Sequence, residues 1–141
     1  MRLLELKSNG EYSLTGDLIL DIPPYAILSH TWGADTDEVT FRDLKDGTGK
    51  SKVGYDKIRF CGEQARYNKL QYIRIDTCCI DKSSSTELSE AINSMFHWYR
   101  EAKKCFVYLS DISIFKSGGN DYLSASVWES NFRKSAWFTR G

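Results

Sequence analysis

Leu70-Gln71-Tyr72-Ile73-Arg74-Ile75-Asp76 carries β-branched and aromatic residues, ends at an acidic turn and reads as a strand. The periodicity is helical on both sides of it. From about Gly54 to Asn68 the spacing of Ile58, Cys61 and Ala65 predicts a helix with one apolar stripe. From Glu87 to about Lys103, residues Leu88, Ile92, Met95, Phe96 and Tyr99 fall on one face of a 3.6-residue repeat. Ser84 and Glu87 have the Ser-x-x-Glu spacing of a capping box at its start. Tyr25-Ala26-Ile27-Leu28-Ser29-His30 and Cys105-Phe106-Val107-Tyr108-Leu109 supply an earlier and a later strand. The order strand, helix, strand, helix, strand predicts an α/β fold: an open, mostly parallel sheet flanked by helices.

The remaining segments organise around that frame. Residues 1–24 read as an N-terminal arm with weak strand character, closed by Pro23-Pro24, the chain's two prolines. The domain proper is expected over 25–141. Val39 to Leu44 fits a short strand or a short helix. Val127 to Phe138 has the apolar and aromatic spacing of a last helix, after a loop at Gly118-Gly119-Asn120. Asp46-Gly47-Thr48-Gly49-Lys50-Ser51 ends like a phosphate-binding loop, but Leu44 stands where that loop needs its first glycine. It is read as a surface loop.

Composition excludes several classes. Nineteen basic side chains balance nineteen acidic ones, so no net field favours nucleic acid or an anionic membrane. No apolar run approaches the ~20 residues that span a bilayer. The charged start Met1-Arg2-Leu3-Leu4-Glu5-Leu6-Lys7 lacks the pattern of a secretory signal, so a cytoplasmic location is expected. Cys61, Cys78, Cys79 and Cys105 form no Cys-x-x-Cys pair, which removes zinc-ribbon and thioredoxin-type readings and leaves free thiols.

In an open α/β sheet, ligands bind beyond the carboxyl ends of the strands. Three polar clusters are predicted there: Ser29-His30-Thr31-Trp32-Gly33, Asp76-Thr77-Cys78-Cys79-Ile80-Asp81, and Ser110-Asp111. From these, Ser29, His30, Trp32, Gly33, Asp76, Cys79, Asp81 and Asp111 are the candidate ligand-binding residues. Trp32 either stacks on a planar ligand or lids the sheet edge. Cys78 or Cys79 with His30 spells a cysteine nucleophile, against the blander reading of thiols packed behind a strand end. The aspartates with His30 match no dedicated metal loop, and strand ends and helix caps account for them. No metal is expected. His97, between the apolar stripe and the polar face of its helix, is read as structural.

These motifs together resemble the fungal heterokaryon-incompatibility (HET) domain. Pro23-Pro24-Tyr25-Ala26-Ile27-Leu28-Ser29-His30-Thr31-Trp32-Gly33 is similar to its opening motif, and Asp76-Thr77-Cys78-Cys79-Ile80-Asp81-Lys82 to its second. Glu87 to Met95 with Trp98-Tyr99-Arg100-Glu101-Ala102 resembles its central helix, and Tyr108-Leu109-Ser110-Asp111 continues the match. Phe132 to Gly141 resembles the start of its last block, which in the family runs on into Trp-Thr-Leu-Gln-Glu-Leu. Lys82 stands where the family often has glutamine.

The resemblance implies a cytoplasmic cell-death module acting in incompatibility between fused fungal cells, an innate-immunity-like response, switched on by oligomerisation. It implies a distant kinship to Toll-receptor-like (TIR) domains, of flavodoxin-like topology, many of which cleave NAD with a glutamate. By that analogy the glutamate falls beyond Gly141 and the domain is C-terminally incomplete. NAD is then the implied substrate, bound at the strand-end residues. The alternative is a non-enzymatic adaptor, or an inactive decoy, that self-associates or binds other HET or sensor-domain proteins.

Overall fold

The computed structural model describes residues 1–34 and 36–108. Leu109, Ser110, Asp111, the loop at Gly118-Gly119-Asn120 and the helix expected over Val127 to Phe138 lie outside them. Along the chain run β1 (Leu4–Leu6), β2 (Tyr12–Leu14), β3 (Tyr25–His30), α1 (Phe41–Asp46), α2 (Tyr55–Tyr67), β4 (Tyr72–Arg74), α3 (Asp76–Cys79), α4 (Ser85–Glu101) and β5 (Lys104–Tyr108). The strand–helix–strand–helix–strand order read from the sequence is β3, α2, β4, α4 and β5.

Among the described residues the strands form one open sheet in the order β2-β1-β4-β3-β5. β3 pairs parallel with β4 and with β5, in register Ala26 to Ile73 and Ile27 to Cys105. β1 runs antiparallel to both neighbours, with Leu4 opposite Ile73 and Leu14. Only β1 opposes the common direction, so the sheet is mostly parallel. The N-terminal arm is thus not appended to the sheet. Its hairpin supplies two strands, and Leu3 and Leu4 are fully buried.

Strand alternation divides the core. From β3, Ala26 and Leu28 face one layer with Ile58, Cys61 and Ala65 of α2 and Ile73 of β4. Tyr25 and Ile27 face the opposite layer with Leu3, Trp98 and Tyr99 of α4. The chain steps from β3 to β4 across one face by α2, then from β4 past β3 to β5 across the other by α4. Strand order therefore reverses at β3.

Local chemistry fixes the short elements. Thr40 and Asp43 exchange side-chain and backbone hydrogen bonds in a complete capping box at 3.2 and 2.9 Å, which resolves the ambiguous Val39–Leu44 segment as the start of α1. Gly47 ends α1 at φ +72°, where a Cβ is disfavoured. At α4 only half of the expected box forms. Ser84 Oγ accepts from the Glu87 N–H at 3.3 Å, but the Glu87 carboxylate turns away to Arg2 and accepts the Asp81 N–H at 3.2 Å. An ion pair with Arg2, just ahead of β1, outcompetes the local cap.

The α4 stripe also divides. Ala91, outside the stripe, is the one buried residue of α4, whereas Ile92 is 63% and Phe96 78% exposed. No helix of the described residues is long and apolar enough to cross a membrane.

Candidate functional site

The carboxyl ends of β3 and β4 lie side by side because the two strands are parallel neighbours. Trp32 and Gly33 follow β3, and Thr77 and Ile80 to Ser83 follow β4. The start of α1, Thr40-Phe41-Arg42, closes the third side. Between them is a cavity of about 260 Å³. Trp32 is 47% exposed, and the Lys82 ammonium lies 3.4 Å from the centre of its ring. The aromatic face is thus already occupied by a cation, a placement favoured by the ring's quadrupole. Arg42, Asp81 and the hydroxyl-bearing Thr40, Thr77 and Ser83 complete a polar wall of mixed charge.

The loop carrying Trp32 is anchored from behind by two residues that sequence reading did not single out. Glu38 is 5% and Lys57 8% exposed, and their side chains form a direct ion pair. Glu38 Oε1 also accepts the Gly33 N–H at 2.9 Å. The Lys57 ammonium donates to the Thr31 carbonyl at 2.9 Å and lies 3.2 Å from His30 Nδ1. Burial pushes the Glu38 carboxyl up, but Lys57 and the Gly33 N–H outweigh it and hold it below its usual value. Gly54, just ahead of α2, lets the loop approach: a Cβ there would meet the Asp37 carbonyl at 2.6 Å. The available signal was a lysine on the inward side of α2, one residue before Ile58.

His30 is half-buried beside this pair. Burial first, then the Lys57 charge, lowers its pKa to about 4, so it is neutral at pH 7. An ammonium can only donate, so Nδ1 accepts and the ring proton sits on Nε2. That Nε2 is buried without a hydrogen-bond partner among the described residues.

The candidate residues therefore separate into groups. Trp32, Gly33 and Asp81 line the cavity. His30 stands behind the loop, at the end of β3, and Ser29 precedes it. Asp76 is buried at the start of α3, with burial raising its pKa against the pull of Arg74, whose Nε is 3.7 Å away. Cys79 is 1% exposed and packs with Cys61 and Cys78 in the α2-side core. A hydrogen bond shared with Cys79, together with burial, keeps the Cys78 thiol well above its usual pKa, so a thiolate there has no support. Asp111 lies outside the described residues. A larger groove of about 830 Å³ runs between the N-terminal arm and α4. Of the candidate residues it touches only Cys79, so it is not the strand-end site.

Comparison with known sequences decides the family. The model of the heterokaryon incompatibility protein (HET) family matches residues 25–126. The chain belongs to the HET family. The matched span opens on the first residue of β3 and takes in every residue of the Trp32 cavity. The β1–β2 hairpin precedes it. The HET chain is also 57% identical over 142 residues to the vegetative incompatibility protein HET-E-1 of Podospora anserina, covering 100% of this chain and 10% of that protein. It thus spans about a tenth of the length of the curated relative it matches. No solved structure matches it.

Proposed function

We propose that this HET domain is a cytoplasmic effector module of fungal heterokaryon incompatibility, driving cell death when a sensor domain or partner brings copies together. Family membership and the likeness to HET-E-1 support the incompatibility role. We further propose that the module binds NAD and cleaves it in a TIR-like manner. The parallel strands in the order β4-β3-β5, with reversal at β3, support a flavodoxin-like relationship and a ligand at the strand ends.

The observation that carries the ligand reading is the Trp32 cavity. At about 260 Å³ it is just below the ~300–1,000 Å³ typical of small-molecule sites, and it suits one ring and its sugar rather than a whole dinucleotide. An electron-poor nicotinamide ring suits the Trp32 face that Lys82 now covers. Lys82 and Arg42 supply positive charge for phosphate oxygens. Of the two carboxylates lining the cavity, Glu38 is tied to Lys57, which leaves Asp81 to face ribose hydroxyls. Its hydrogen bonds from Ser83 lower its pKa, so it is ionised at pH 7.

The test is nicotinamide release from NAD by the purified chain held as an oligomer, with direct NAD binding measured alongside. Binding that disappears in Trp32→Ala supports the reading. Retained binding in a folded Trp32→Ala protein removes NAD from this cavity. An adaptor would instead lose self-association when surface residues such as Arg66 or Lys103 are changed.

A further inference from the structure

Arg2 joins two sides of the Trp32 cavity. Its guanidinium pairs with the Glu87 carboxylate, Nη1 on Oε1 and Nη2 on Oε2 at 3.3 Å. The same Oε1 accepts the Asp81 N–H at 3.2 Å, which holds the backbone of a residue in the cavity wall. The Arg2 guanidinium carbon also lies 4.6 Å from the centre of the Phe41 ring, on the α1 side of the cavity. Arg2 is itself fixed by buried Arg74, which donates to its carbonyl at 2.8 Å and lies 3.6 Å from the centre of the Trp98 ring. A side chain just ahead of β1 thus links the α3–α4 turn and α1 to the sheet.

Resting on the ligand reading above, we propose that Arg2 and Glu87 are positioning residues of the Trp32 cavity, setting where Asp81 and Phe41 stand for a bound ligand. The Glu87 carboxylate has two competing destinations. One is the backbone N–H of Ser84, where it would complete the cap of its own helix. The other is Arg2, and from there its Oε1 takes the Asp81 N–H. A two-pronged guanidinium–carboxylate pair fixes direction as well as distance, so Arg2 selects the second. The two side chains are 23% and 27% exposed, so the pair adds little to global stability and acts on local placement. The matched family span begins at Tyr25, so this brace reaches the cavity from the chain ahead of that span.

The experiment compares Arg2→Met, Glu87→Ala and Glu87→Gln in the full chain by amide hydrogen exchange and by calorimetry with NAD. Arg2→Met and Glu87→Ala should speed exchange of the Asp81 amide by about tenfold or more, the loss of one bond to a charged acceptor. The Gly33 amide, held by Glu38, and the Ile73 amide, buried in the sheet, should keep their rates. Glu87→Gln retains the oxygen that serves both Arg2 and Asp81 and should fall between Glu87→Ala and the unsubstituted chain. NAD affinity should fall in the same order. An Asp81 amide that stays slow in Arg2→Met overturns the proposal. So does an Ile73 amide that speeds up equally, which would make the pair a general staple, and so does NAD affinity unmoved while Asp81 exchange rises. An unsubstituted chain that binds no NAD removes the ligand reading instead, and the exchange rates then decide the bracing on their own.

Discussion

The Lys57 ammonium lies 3.2 Å from His30 Nδ1 while its ion-pair partner Glu38 holds the Gly33 N–H. A neutral histidine, a buried cation and a buried carboxylate therefore brace the loop that presents Trp32. Removing one member of a buried pair leaves an uncompensated charge, a loss of about 3–5 kcal/mol. Glu38→Ala and Lys57→Met should each lower stability by about that amount in urea denaturation. The double variant Glu38→Leu/Lys57→Met should recover a good part of it. Additive losses would show that the two side chains act separately.

The His30 environment sets a pH window. Its folded pKa of about 4 lies below the unfolded 6.5, so stability is fully present above pH 6.5. It is lost as the pH falls toward 4, because the unfolded chain takes up a proton that the folded chain refuses. At ~1.36 kcal/mol per pKa unit the loss approaches about 3 kcal/mol and stops growing below pH 4. The lowered pKa of Glu38 adds a loss of the same sign at lower pH, and the raised pKa of Asp76 opposes it. The measurement is the urea midpoint between pH 7 and about 4.5, in which His30→Gln should flatten the slope.

Gly54 has ordinary helical angles, φ −62° and ψ −16°, which alanine adopts freely. At this N-cap position glycine is nevertheless preferred over alanine, so no gain in helix propensity is expected. The Asp37 carbonyl and the Glu38 Cα, 2.6 and 2.9 Å from the added Cβ, add a steric cost. The expected result is a net destabilisation of about 1–3 kcal/mol by thermal or urea unfolding.

Trp32 lets stability be separated from the proposed binding of NAD. Half exposed and outside the core clusters, it should change stability by less than about 1 kcal/mol on truncation to alanine. Trp32→Ala should still weaken NAD binding at least tenfold in calorimetry. Lys82→Gln, which removes the cation on the ring, tests whether that ammonium assists or blocks a ligand ring through the sign of the affinity change.

Periodicity and turn chemistry made most of this architecture legible. The helices around Ile58 and Leu88 follow from spacing, and the strands at Tyr25, Tyr72 and Cys105 from short runs of apolar, β-branched and aromatic residues. The β1–β2 hairpin was weak because Leu4–Leu6 and Tyr12–Leu14 are too short to display alternation, and their strand state depends on pairing, β2 with β1 and β1 with β4. The site was half legible. Trp32, Gly33 and Asp81 sit at strand ends, where a parallel sheet puts its ligands. Glu38 and Lys57 escaped because an ion pair joining an acidic loop to a helix leaves no mark in local sequence. Ile92 and Phe96 read correctly as an apolar face, but periodicity does not say what covers such a face.

The pairing of Leu4 with Ile73 has a consequence for the order of events during synthesis. Leu3 and Leu4, which end fully buried, leave the ribosome some seventy residues ahead of their partner strand. Loop closure over that distance precedes any reward from the contact, which slows folding. Until β4 arrives, the hairpin edge and its leucines are open to chaperones or to neighbouring nascent chains.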